Sequence, residues 1–557
     1  MNLAPNPALV TQRAVQRLPR LALLLFCAAY VLPGMFSRDP WKSADITAFG
    51  YMAGIAQGRT GWLAPTVGGL PADGALLPYW LGAIFIKAFP WLDPALAARI
   101  PFALLLVLVL VLTWYASYHL ARTEAAQPLP FAFGGEAQPV DYARAIADGA
   151  LLALIASLGL LQLGHETTPE LLQLAGVALF VYALAASPAR ALQPRLAVLV
   201  ALPALAASGA PTIAMVLGVV GAAICHRSGY ELARRFVRWI VASTVLAALA
   251  ASALGAWGWH VATGRIDAAS LWSLLRLLLW FAWPAWLLAL WTIWRWRDHL
   301  SDRHIAIPLG CASVSLVACV VMGGSDRALM LGLPPLAVLA AFALPTLQRR
   351  TAAAIDWFSV FFFSACAITI WVVYLSIQTG FPAKPAANVA RLSPGYTPTF
   401  SVLALALALA GTLAWMWLVK WRIGRSRHPL WKSLVLPAGG VALCWLLVMS
   451  LLLVPLDHAR SYRSLVERIV QQVPRDACIA APGMSRAQVV ALERLGGYLV
   501  DAVTAAATTK CPYLLLMETR DRPSSPGPDW HLLARERRNN SDDEITAIYR
   551  RAIPPAS

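Results

Sequence analysis

Thirteen stretches of predominantly apolar sequence divide this chain, most of them close to the roughly 17 to 25 residues that a helix needs to cross a bilayer. They fall near residues 20–37, 96–120, 145–163, 170–188, 196–211, 212–226, 238–258, 275–294, 304–322, 328–346, 355–378, 400–420 and 433–456. This pattern constrains the fold more than any other property, because a backbone in hydrocarbon must satisfy its own polar groups, and runs of this length do so as helices. Composition agrees: 59% of residues are hydrophobic and 13% charged, against about one quarter charged in soluble domains. The expected class is a polytopic α-helical membrane protein of about 13 spans. Pro211 separates the fifth and sixth, since proline removes a donor and clashes with the preceding turn.

The formal net charge is +17, yet the basic residues form no continuous face of the kind that binds nucleic acid. They gather in alternate loops. One set holds Arg13, Arg17 and Arg20, then Arg122 and Arg144, Arg190 and Arg195, Arg227 to Arg238, Arg295 to Arg303, Arg349 and Arg350, and Lys420 to Lys432. The opposite set is about half as basic, which by the positive-inside rule places the N-terminus in the cytoplasm and the C-terminus outside. The first run follows three arginines and ends without an A-x-A-like site, so it reads as a retained span rather than a removable signal.

Three segments then face outward: a first loop, 37–95; a second, 378–399; and a tail, 457–557. The first opens with "SRDPWKSADITAFGYMAG", where Arg38, Asp39, Lys42 and Asp45 crowd around Trp41 at the end of the first span. Its stretch "LLPYWLGAIFIKAFP" is too short to span and reads as interfacial or re-entrant. The second loop, rich in Pro and Gly, is expected to lack regular structure. The tail is expected to be a small α/β domain. In it "SYRSLVERIVQQVP" has helical spacing, "ACIAAPG", "GYLVDA" and "YLLLME" are short strands, and the end is a loop with a last strand or ragged extension. Six cysteines lie in or beside spans, where a thiol is a small hydrophobe. Only Cys478 and Cys511 lie in the tail, so an oxidising compartment predicts a disulfide between them.

This arrangement resembles the GT-C glycosyltransferases, in particular the aminoarabinose transferase (ArnT-like) and protein O-mannosyltransferase group. "DITAFGYMA" from Asp45, "TGWLAP" from Thr60 and "GGLPADGALLPYWLGAIFIKAF" from Gly68 are similar, in order, to motifs of that group's first loop. "LDPALAARIPFALL" and "RALMLGLPPLAVLAA" are similar to the start of its second span and to a later span. Two positions depart. The acidic residue after the first Asp is Ile46, and the group's E-K-P stands as Asp73-Gly74-Ala75, so the phosphate-binding lysine is missing.

The resemblance implies a bacterial inner-membrane enzyme that moves a sugar from a polyprenyl-phosphate (undecaprenyl-phosphate) donor to a lipid, glycan or protein acceptor at the periplasmic face. Such chemistry needs cations for the leaving phosphate and a carboxylate to orient or deprotonate the acceptor. Asp45 is the expected catalytic carboxylate; its alternative is a helix N-cap in "SADITAFGYM". Asp39 reads as a partner of Arg38 or Lys42. Asp73 is a candidate for holding the acceptor, and His165 and Glu166 in "GHETTPELL" for lining the same cavity, although the latter stretch is also an ordinary helix start. With position 74 a glycine, Arg265 is the leading phosphate ligand, beside His260, with Arg327 and Lys384 as further cations. No second His or Cys stands near His165 at metal-ligand spacing, and no nucleotide-binding or CxxC signature occurs, so no cofactor is expected. The 23 tryptophans follow the membrane interfaces and read first as an aromatic belt. Two other readings stay open. The departures at Ile46 and Gly74 fit a catalytically silent lipid-binding scaffold. A lipid or oligosaccharide transporter would want charges deep in its spans and internal repeats, and neither is evident.

Overall fold

The computed structural model describes residues 6–41, 43–258, 268–423, 429–518, 525–537 and 544–552. Every apolar stretch is occupied by helix. In chain order these are α1 (Arg20–Val31), α2 (Ala44–Ala56), α3 (Leu76–Ala88), α4 (Pro94–Ala121), α5 (Pro139–Ala156), α6 (Leu158–Leu163), α7 (Pro169–Ala186), α8 (Leu192–Ala207), α9 (Pro211–His226), α10 (Glu231–Ala253) and α11 (Ala268–Phe281). There follow α12 (Ala285–Arg295), α13 (Arg303–Val321), α14 (Asp326–Met330), α15 (Leu333–Ala343), α16 (Arg349–Thr379), α17 (Ala383–Leu392), α18 (Val402–Ile423), α19 (Lys432–Leu451), α20 (Leu453–Arg460), α21 (Arg463–Val470) and α22 (Arg486–Ala491). Proline opens α5, α7 and α9, where its missing N–H has no intrahelical partner to lose.

Among the described residues seven helices are long and apolar enough to cross a membrane: α4, α7, α10, α13, α16, α18 and α19. The stretch 275–294 is not one straight span: α11 and α12 meet at 90°. The stretch 145–163 is likewise divided at Ser157, whose backbone is extended. The two breaks answer one another, since the Leu158 N–H freed at one donates to the Trp283 carbonyl freed at the other, at 3.3 Å. α1, α8, α9 and the 333–346 stretch are apolar but shorter. The run 433–456 also divides, into α19 and α20.

The chain forms two compact units. The first comprises Met1–Met35, Phe102–Ile370 and Leu403–Ser450, and its core is a close-packed set of helices with Leu154, Phe180, Leu184, Val198, Leu339 and Phe342 fully enclosed.

The second unit comprises Phe36–Pro101, Trp371–Val402 and Leu451–Ser557. Its sheet has the order β4 (Leu499–Asp501), β3 (Cys478–Ala480), β5 (Tyr513–Glu518), β7 (Ile545–Arg551), β6 (Trp530–Arg537), the first three parallel and the last two antiparallel additions. The C-terminal stretch thus supplies two strands rather than a ragged end. Cys478 and Cys511 are joined by a disulfide. The segment expected to be irregular contains α17, a ten-residue helix with no buried residue. Its flanking Pro and Gly punctuate the loop without preventing nearly three amphipathic turns between them.

The first loop and the tail interlock within this unit. The hairpin β1 (Thr66–Val67) and β2 (Leu70–Pro71) turns through Gly68 and Gly69, both at positive φ. Gly68 N donates to Glu493 Oε1 at 3.0 Å, and its carbonyl accepts from Ala502 N at 2.9 Å. A Cβ at Gly50 would stand 2.2 Å from Val490, so α2 seats on α22 only because the position is bare.

Candidate functional site

Asp45 is 1% exposed and stands in the first turn of α2. The N-cap is Ser43, two residues earlier, so Asp45 is not the cap that the local sequence allows. Its Oδ2 accepts from Trp41 N at 3.1 Å and from Arg38 Nη2 at 3.3 Å. Arg38 is itself 3% exposed, and its guanidinium lies 4.5 Å from the centre of the Trp41 ring. Arg460 of α20 approaches the same ring at 4.9 Å. An aromatic face held between cations and a buried carboxylate keeps each charge fixed where water cannot reorganise around it.

Asp457 completes the floor of this cluster. Its Oδ1 accepts from Trp41 Nε1 at 2.8 Å and from Asp39 N at 3.0 Å. Asp39 pairs with neither Arg38 nor, among the described residues, any neighbour in its own loop. It takes two bonds from Arg463, at 2.9 and 2.7 Å, and one from Ser461 Oγ at 2.8 Å. Lys42 lies outside the described residues. Arg99, 4% exposed at the start of α4, is within electrostatic reach of Arg38, Asp45 and Asp457. The cluster therefore gathers four arginines around three aspartates, with Asp93 and Glu467 also within electrostatic reach of Arg99 and Arg463.

The two supporting carboxyls titrate in opposite directions. Burial raises both, but at Asp39 the hydrogen bonds from Arg463 and Ser461 outweigh it and hold the carboxyl below its ordinary value. At Asp457 burial, reinforced by the negative charge of Asp39, wins over the Trp41 bond and pushes the carboxyl up.

Other expected residues lie elsewhere. Asp73 makes a two-point ion pair with Arg486 of α22, at 2.9 and 2.8 Å, with its side chain 62% exposed; it ties the loop to the tail. Glu166 and Arg327 come together at 2.6 Å in the first unit, where Arg327 also meets Glu170 at 3.2 Å and Thr168 at 3.1 Å. His165 beside them sets its ring nitrogens 2.7 Å from Leu161 O and 2.9 Å from Tyr30 O, with the Trp445 ring centre 4.6 Å from its own and tilted by 40°. Lys384 is exposed on α17. His260 and Arg265 lie outside the described residues. Among the described residues no group of three His, Cys, Asp or Glu side chains could hold a metal ion.

Sequence reasoning missed Arg99, Asp457, Arg460 and Arg463. The signal was present in "LDHARSYR", a burst of charge directly after the last apolar run, the same kind of feature that marks Asp45 after the first.

Comparison with solved structures is decisive for the architecture. ArnT from Cupriavidus metallidurans bound to undecaprenyl phosphate superposes with a TM-score of 0.60 over 95% of this chain and 96% of that one, at 12% identity. The chain has the ArnT fold. The apo state of the same ArnT gives 0.58 over the same shares. No protein-family pattern matches the sequence, and no curated protein does. The ArnT likeness found by comparison is thus one of fold.

Proposed function

We propose that the protein transfers a sugar from a polyprenyl-phosphate donor to a lipid, glycan or protein acceptor at the outer face of a bacterial inner membrane, with the first loop and tail periplasmic and the N-terminus cytoplasmic. One observation carries this reading: a buried carboxylate, Asp45, held by a buried guanidinium, Arg38, in a cluster that brings Arg99, Arg460 and Arg463 to the same place. The ArnT fold, seen elsewhere with undecaprenyl phosphate bound, supports it.

In this mechanism the donor phosphodiester enters as a monoanion that competes for the guanidinium of Arg38 and gains a second negative charge as the sugar leaves. Arg99 and Arg460 supply further positive charge, in the place of the lysine absent at Gly74. Released from Arg38, Asp45 accepts the proton of the acceptor hydroxyl as its oxygen bonds to the anomeric carbon. The bond from that carbon to the phosphate oxygen breaks, and the electron pair leaves on the phosphate, where the arginines stabilise it. The same ion pair also favours a second reading, a silent lipid-binding scaffold in which Arg38 never releases Asp45.

Purified protein incubated with radiolabelled polyprenyl-phosphate sugars and a membrane extract separates the two. Label transferred to an acceptor supports the enzyme. Donor bound without any transfer supports the scaffold, and neither binding nor transfer overturns both.

A further inference from the structure

The first unit carries a second arrangement of cations that the proposed reaction does not use. Arg122 follows directly on α4, and its guanidinium lies 5.8 Å from the centre of the Tyr118 ring. His119 meets the ring of Tyr182, on α7, at 5.9 Å and lies within electrostatic reach of both Arg122 and Arg190. Arg190 donates to Gln193 Oε1 at 2.7 Å, and the Tyr182 hydroxyl stands 3.5 Å from the same oxygen. Among the described residues no carboxylate lies within ion-pair distance of Arg122 or Arg190, although Glu124 is near in sequence. Several other arginines of the unit are paired: Arg17 with Asp141, Arg234 and Arg235 with Glu231, and Arg422 with Asp356.

An apolar track leads to this patch. Leu104, Leu108, Val111 and Tyr115 are 58, 40, 44 and 47% exposed, and their spacing of four, three and four residues continues through Tyr118 to Arg122 on one face of α4. A single helix face thus presents acyl-compatible side chains along its length and an uncompensated cation at its end, with tyrosines between them at the depth where amphipathic rings favour the headgroup layer.

We infer that the edge formed by the ends of α4 and α7 and the start of α8 is a binding site for an anionic glycerophospholipid, whose phosphate is held between Arg122 and Arg190. The occupant is a lipid rather than a soluble anion because the chain-length track runs along one face of α4 to Arg122. Arginine suits the role: its planar fork donates two parallel bonds to phosphate oxygens. The site is independent of glycosyl transfer, and of which side of the membrane it faces.

Native mass spectrometry of the purified full-length protein, titrated in detergent with cardiolipin, phosphatidylglycerol or phosphatidylcholine, tests the assignment. The anionic lipids should be retained over the zwitterionic one, and the paired variant Arg122→Gln/Arg190→Gln should bind them about tenfold more weakly. The control Arg234→Gln/Arg235→Gln should bind as the parent does. The pair Arg122→Lys/Arg190→Lys, which keeps both charges but not the fork, should bind more weakly than the parent and more tightly than the glutamine pair, and guards against a folding defect. Equal retention by the glutamine pair, an equal loss in the control, an equal loss in the lysine pair, or displacement of the lipid by millimolar inorganic phosphate would each overturn the site.

Discussion

Two clusters of buried charge, one in each unit, are built on opposite principles. Around Asp45 four arginines meet three aspartates, and two of the arginines, Arg38 and Arg99, are buried. Around Arg327, among the described residues, one guanidinium serves the two carboxylates Glu166 and Glu170. In the first the buried carboxylate is the guest of cations; in the second the cation is the guest of carboxylates. A leaving phosphate stabilises the first arrangement and repels the second. On the proposed function, donor chemistry belongs to Asp45's surroundings, and the Glu166 cluster keeps tasks that tolerate negative charge, such as orienting hydroxyls.

The most severe way to break this contrast is Asp45→Asn. It keeps the shape and the bond to Trp41 N but removes the proton acceptor, so transfer of labelled sugar should fall by about two to four orders of magnitude. Glu166→Gln should cost clearly less in the same assay, and an equal loss would erase the distinction. Next in size is Arg38→Ala, which strands a buried carboxylate and should lower unfolding stability by about 3–5 kcal/mol in a detergent melt. Arg327→Ala should cost less, about 1–3 kcal/mol, because its side chain is 24% exposed and water can enter.

A smaller effect appears with pH. Asp39's lowered value means that its ion pair stabilises the fold fully above its ordinary value of 3.8 and loses that contribution as the pH falls through the lowered one. Asp457, raised, acts in reverse and favours the fold as the pH drops through its own value. Asp39→Asn should therefore flatten the acid limb of a melting-temperature profile taken from pH 7 to 3, while Asp457→Asn should not. The least effect belongs to Asp73→Asn, whose exposed pair with Arg486 should contribute less than about 1 kcal/mol to the same melt.

What the sequence displays is what is local. Apolar runs mark helices because the property that buries them is written residue by residue, and the three short tail strands stand out for the same reason. The break at Ser157 was invisible because its compensating carbonyl belongs to Trp283. Asp45 could be singled out from its setting at the end of a span, but its partnership with Arg38, and that of Asp39 with Arg463, is decided by packing. Counting neighbours favoured Arg38 for Asp39, and the fold chose a partner 424 residues away. α17 was missed because Pro and Gly at a loop's edges say where a helix stops, not that none begins.

The bond from Trp41 to Asp457 spans 416 positions of chain. A ribosome adding roughly 5–20 residues per second needs about 20–80 s to travel that far. For that interval the first loop exists without the residues that floor its carboxylate cluster. Arg38, Asp45 and Trp41 must wait, and their final geometry is among the last features of the molecule to be acquired. A premature stop anywhere before Asp457 therefore yields a protein whose helices can insert but whose cluster is never assembled.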